Sequence, residues 1–246
     1  MNNNFSKASK VYLAVRYSLE FLVVVLGITV SFWLSEWSMS RQELNHQSQD
    51  AKDLLQDLQS DKTRLERVYN DIKLGITLTG RIQENCKLLQ RGDINYTSFS
   101  DSLINIGSPY SWRTFFMNDG SYKTLLNNGR IQNFPSEIED AIKEYYEYVS
   151  KRVRDNNTII DKVSLNYYLT NHPMCMLYGN NDEKRDFMKI SGVQEKYESI
   201  DFYTSTLGLR NRIFAHNGQV KEYMVIREQV DSLLADFLRT QTLREY

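Results

Sequence analysis

Apolar residues recur every three or four positions along most of this chain, and in one place near the start they become continuous. From Tyr17 to Trp37 the sequence reads YSLEFLVVVLGITVSFWLSEW. Its uninterrupted apolar centre, Phe21 to Leu34, would span roughly 21 Å as a helix, short of a hydrocarbon core of about 30 Å. The 21 residues from Tyr17 to Trp37 are enough to cross, if Glu20 is accommodated. Glu20 lies one turn inside the N-terminal end, where it can snorkel or pair with Arg16 four residues earlier. Tyr12, Tyr17, Trp33 and Trp37 stand near the two ends, where amphipathic rings favour the headgroup layer. A cleaved signal peptide is the competing reading, with Ser38-Met39-Ser40 as a loose small-x-small site. The bulky Trp37 beside that cut, and a helical pattern running across it, favour a retained anchor.

Beyond the span the pattern predicts long helices. Leu44, Ala51, Leu55, Leu58, Leu65, Tyr69, Ile72 and Ile76 mark one face of a helix that ends near Arg91-Gly92-Asp93. Ser48 and Lys62 interrupt this seam, which makes it a poor dimeric zipper and a better wall of its own domain. Gly75 and Gly80 predict a bend. Between Asp93 and Pro135 the chain breaks into short helices, one capped at Thr97 or Ser98 and one from Tyr122 to Asn128 closed by Gly129. Ser136 and Glu139 have the spacing of a capping box. The helix they start carries Ile138, Ile142, Tyr145, Val149, Val153, Ile160, Val163 and Tyr167 on one face. A mobile connector is expected from Asn171 to Gly192. A last helix, broken near Gly208 and Gly218, buries Leu209, Ile213, Tyr223, Ile226, Val230, Leu234 and Phe237. No period-two run of useful length occurs. The expected fold is all-α: a cytoplasmic segment over 1–16, a transmembrane helix over 17–37, and a helical soluble domain over 38–246.

Composition changes this picture little. Net charge is −1 over 246 residues, which offers no basic groove for nucleic acid. Three prolines and 11 glycines suit long helices with few tight turns. Basic residues set the orientation: Lys7, Lys10 and Arg16 precede the span, against Arg41 and Lys52 after it. That bias puts the N-terminus in the cytoplasm and the larger domain outside, in the periplasm if this is a bacterial inner-membrane protein. Cys86 and Cys175 could then form a disulfide, or remain two buried thiols.

Several features together resemble a known family: LVVVLGITVSFWLSEW ending in Trp37, a charged helix, a Y-x-x-L-x-x-x-G turn at Tyr122 to Gly129, and a Tyr145-Tyr146 helix before a closing one. They resemble uncharacterised single-pass bacterial membrane proteins described only as a domain of unknown function. The resemblance implies a membrane-anchored helical protein and brings no catalytic residues with it.

Candidate chemistry is sparse. Gly27, Ser31 and Ser35 recur at every fourth position on a face that Glu20 extends. Small residues at that spacing let two backbones approach closely, with hydroxyls bonding across the contact. A homo-oligomer or another membrane protein is the expected partner, besides the lipid bilayer itself. Leu209 to His216 (LRNRIFAH) resembles the Arg-Asn…His motif of the HEPN ribonucleases, with Arg210, Asn211 and His216 as the matching residues. Arg212 and His216 also share a helix face for purely structural reasons. His172, Met174, Cys175 and Met176 could attract a soft metal such as Cu(I), but a single cluster just after a helix end is more often loop packing. Tyr145, Tyr146, Tyr148, Tyr167 and Tyr168 at helical spacing are usually core. No P-loop, dinucleotide, zinc-protease or serine-hydrolase motif occurs. The expectation is a non-enzymatic interaction or scaffold component without cofactor, metal or small-molecule substrate. A membrane-tethered ribonuclease is the rival.

Overall fold

A computed structural model describes residues 4–110 and 114–244. Among them no strand occurs, and the fold is all-α. The side chains of Lys7 and Lys10, which enter the orientation argument, and of Tyr12, expected near one end of the span, lie outside the described ones. Contacts divide the chain into two compact units, Met1–Asp50 and Ala51–Tyr246.

Helix α1 runs unbroken from Asn4 to Arg91 and belongs to both units. In the first unit it contains a segment of mean hydropathy 1.9, long and apolar enough to cross a membrane, none of which is buried. Phe21, Phe32 and Trp33 are all more than 60% exposed.

In the second unit the same helix is a wall of a bundle. Its buried stripe is Ala51, Leu54, Leu58, Asp61, Leu65, Val68, Ile72, Gly75, Thr79, Ile82 and Cys86, separated by alternating steps of three and four, with Gln83 buried beside it. The expected face is therefore corrected by a small rotation. Leu44 is exposed, and Leu55, Tyr69 and Ile76 flank the buried stripe. Lys62 points outward, and the polar residue inside the stripe is Asp61. Gly75 and Gly80 do not break the helix; they make room beside it. A Cβ on Gly75 would lie 2.8 Å from the ring of Tyr110 and 3.3 Å from the Pro109 carbonyl. One on Gly80 would lie 3.2 Å from the Arg210 guanidinium. The helix closes with a left-handed Gly92 (φ 78°). Gly92 N–H donates to Leu89 O and Asp93 N–H to Leu88 O, the double bond of a Schellman ending.

Helix α2 (Tyr96–Ile106) is capped by Asn95, two or three residues earlier than the expected Thr97 or Ser98. Asn95 Oδ1 accepts from Ser98 N–H at 2.9 Å. Helix α3 (Gly120–Asn127) ends at the left-handed Gly129, as its sequence predicts. A 3₁₀ turn, Arg130–Asn133, leads to α4 (Ser136–Lys143). The expected capping box does not form. Pro135 holds the cap position, which puts Ser136 one residue into the helix, and Glu139 pairs with Lys143 at 2.6 Å.

Two π-helical turns, Glu144–Val149 and Tyr167–Asn171, bracket α5 (Ser150–Asn166). A 3₁₀ turn at Pro173–Met176 follows. The expected mobile connector is instead built into α6 (Asn181–Met188) and α7 (Ser191–Glu198). Asn180 caps α6 by accepting from the Asp182 and Glu183 amides.

Helix α8 (Ile200–Arg244) passes through Gly208 and Gly218 without a break. Its buried positions are Phe202, Thr206, Leu209, Ile213, His216, Val220, Tyr223, Arg227, Val230 and Leu234. They too alternate by four and three. It runs antiparallel to α1, with Arg227 reaching the Leu58 carbonyl at 3.3 Å and Arg210 reaching Gln83 at 2.9 Å. Its pairings with α5 also run in opposite senses: Arg152 lies by Glu222, and Asn156 by Arg212 and His216. At the end of the bundle away from α3, α2 and α6 are tied by Tyr96 donating to the Met188 carbonyl at 2.8 Å. Phe99 there meets Phe202 edge to face.

Candidate functional site

The spacing of α8 decides where the ribonuclease-like residues go. His216 falls on the buried stripe and is 0% exposed, whereas Arg210 and Asn211 do not fall on it. Arg210 turns to α1, with Nη1 donating to Gln83 Oε1 at 2.9 Å and its guanidinium over Phe214. Asn211 is exposed. His216 turns to α5, its Nδ1 bonded to the Asn156 side-chain amide. Asn156 Oδ1 also accepts from Arg212 Nη2 at 2.8 Å. Burial, and then the Arg212 charge, push the His216 imidazole down to about 4, so it is neutral near pH 7. Arg210 and His216 are thus engaged by different helices.

The sulfur and imidazole groups after α5 also separate. His172 is fully buried, its Nδ1 2.9 Å from the Tyr197 hydroxyl, which also accepts from Met174 N–H at 3.1 Å. Rings of Tyr167, Tyr197 and Phe202 surround it. Burial pushes its pKa down to about 3. Cys175 donates to the Gly107 carbonyl, and burial pushes its thiol up to about 12. Cys86 is likewise buried and pushed up to about 12, and both cysteines are free thiols. Among the described residues, no group of three or more His, Cys, Asp or Glu is placed to hold a metal ion.

A third polar centre escaped the sequence reading. Asp57 and Asp61, one turn apart on α1, organise the chain before α3. Asp61 accepts from Asn118 N–H and from the Tyr145 hydroxyl, each at 2.9 Å. Asp57 accepts from Asn118 Nδ2 at 2.7 Å and from Ser121 N–H at 2.9 Å. Burial raises the Asp61 carboxyl to about 6, against the pull of its hydrogen bonds and of Arg64. Tyr122 stacks on Tyr146 with centroids 4.8 Å apart and donates to Glu147 at 2.5 Å. Every oxygen of Asp61 is used within the protein, so this is a structural clamp. Its only signal in the sequence is its place between Leu58 and Leu65 at steps of three and four, a position where an aspartate ordinarily reads as facing solvent.

On the exposed half of α1, Gly27, Ser31 and Ser35 share a shallow groove with Val24, Ile28 and Phe32. A Cβ on Gly27 would meet nothing within 4 Å, so the groove is uncovered. Ser31 Oγ donates to the Gly27 carbonyl at 2.8 Å, so its proton is used within its own helix rather than held free for a neighbour. Glu20 pairs with Arg16 at 2.9 Å, both well exposed.

No curated protein and no solved structure matches this chain. A family described as of unknown function, DUF6090, matches residues 20–171, from within the apolar segment through α5 and its second π turn. That match covers more than half of the sequence, and the chain belongs to the family of unknown function DUF6090.

Proposed function

We propose that this chain is a single-pass bacterial inner-membrane protein. Its N-terminus is cytoplasmic, its bundle lies outside, and its role is a non-enzymatic interaction or scaffold component of a membrane assembly. The observation that carries the reading is the apolar segment of α1, which reaches a mean hydropathy of 1.9 with none of it covered by protein. A helix that apolar and that bare is stable in water only at a large hydrophobic cost, which a bilayer removes. The groove of Gly27, Ser31 and Ser35 supports close approach of a second membrane helix, from another copy or another protein.

A reporter fused after Tyr246 tests the topology. Active alkaline phosphatase is expected there, and bright cytoplasmic fluorescence overturns the orientation. Resistance to alkaline carbonate extraction tests the anchor. Cysteines placed singly at Gly27, Ser31 and Ser35 should crosslink in membranes more efficiently than cysteines at Val23 or Val30; equal yields overturn the contact face.

A further inference from the structure

The cleft between α5 and α8 has a volume of about 590 Å³ and is lined by one cation and no carboxylate. Asn166, Asn171, Ser205, Asn211 and Arg212 surround it above Leu209. The guanidinium of Arg212 has one hydrogen-bond partner among the described residues, the side-chain oxygen of Asn156 at 2.8 Å. Among the described residues, no ion pair within 4 Å compensates its charge.

Asn156 is 2% exposed, and its amide is fixed from the other side by His216, which is neutral. A carboxylate at this position would hold Arg212 equally well and cancel its charge. An amide orients the guanidinium and leaves the charge intact, directed at whatever occupies the cleft.

We propose that this cleft binds a phosphate monoester, with Arg212 as the charge anchor, Asn156 as its positioning residue, and Asn166, Asn171 and Asn211 as neutral donors; Ser205 only lines it, because its hydroxyl donates to the Phe202 carbonyl at 3.0 Å. The donor set selects phosphate over carboxylate. A carboxylate presents two oxygens, both of which one guanidinium fork can engage, whereas a phosphate monoester presents a third to share among the three asparagine side chains. The volume falls within the usual range for small-molecule sites, roughly 300–1,000 Å³. The same group could arrive as a free phosphate monoester or as the headgroup of phosphatidic acid.

The test titrates the full-length protein in detergent with glycerol 3-phosphate by calorimetry, and in parallel with short-chain phosphatidic acid. Saturable binding at about 1 mM or tighter is expected for at least one of them. Glycerol 3-phosphate binding identifies a soluble ligand, and binding of the lipid alone identifies a headgroup. Arg212→Gln should weaken it roughly tenfold or more. Asn156→Asp guards against a folding artefact: it gives Arg212 a counter-ion, so the melting temperature should hold or rise while affinity falls. Arg154→Gln, an exposed change on the same helix, should leave binding unchanged. Binding of neither probe, or wild-type affinity in Asn156→Asp, overturns the proposal.

Discussion

The two halves of α1 are one continuous helix and obey opposite rules. Over residues 51–91 the apolar positions face inward, and Leu54, Leu58, Leu65 and Ile72 are completely buried. Before residue 50 a longer apolar series faces outward on every side, with Phe21 at 71% exposure. The difference teaches that the helix itself is indifferent to its surroundings. Its backbone bonds are internal, and the side chains alone specify which solvent each half requires.

The largest expected effect comes from the buried half. Leu65→Ala removes methyl groups from a site with no exposure and should cost about 2–5 kcal/mol, read by chemical denaturation of the purified protein. It should leave membrane attachment untouched. The converse change, Ile28→Arg, places a charge at the middle of the exposed apolar segment, at about 3 kcal/mol against insertion. It should shift the protein toward the carbonate-soluble fraction while the bundle melts as before.

Acid sharpens the contrast further, because the titrating core groups belong to the second unit. His172 and His216 have folded pKa values depressed to about 3 and about 4, below the unfolded imidazole. The unfolded chain therefore binds more protons, and the stabilisation present above about pH 6.5 is lost as pH falls toward those values. Each should cost about 2 kcal/mol at pH 5. Asp61, raised to about 6, works in the opposite sense and recovers part of this loss between about pH 6 and 4. His216→Gln should flatten the pH dependence of unfolding between pH 7 and 5; an unchanged slope rejects the assignment.

The smallest effects come from a pair of glycines. Gly75→Ala must push against the Tyr110 ring and should destabilise by about 1–3 kcal/mol. Gly218→Ala meets nothing within 4 Å in a helix interior and should stabilise by about 1 kcal/mol. Thermal melts of the two variants should move in opposite directions.

The sequence made the helices legible and hid their punctuation. Leu58, Leu65 and Ile72 are enough to find the inner face of α1, because apolar residues seven apart share a face. Asp61, Thr79 and Gln83 are buried on or beside that stripe but read as solvent positions: the partners of Asp61 and Gln83 come from elsewhere in the chain, and Thr79 hides its hydroxyl on the Gly75 and Ile76 carbonyls of its own helix. His216 looked like chemistry beside Arg210. Only the packing of α5 against α8 reveals it as a buried core residue bonded through Nδ1 to Asn156. The breaks expected at Gly208 and Gly218 failed because one glycine costs about 1 kcal/mol, less than the burial of Leu209, Ile213 and Val220 around them supplies. Ser136 and Glu139 had the right letters for a cap, yet Pro135 already held the position.

The doublets Tyr145-Tyr146 and Tyr167-Tyr168 are both entirely inside the protein, and both stand in the widened turns that flank α5. Two consecutive bulky rings rarely point the same way from a regular coil; a loop of backbone with one spare residue lets them. The length of this segment is thereby fixed as firmly as its composition. Deleting a single amino acid from either turn would restore ordinary winding, swing one ring of the doublet toward water, and put the downstream face of the helix out of step with α8.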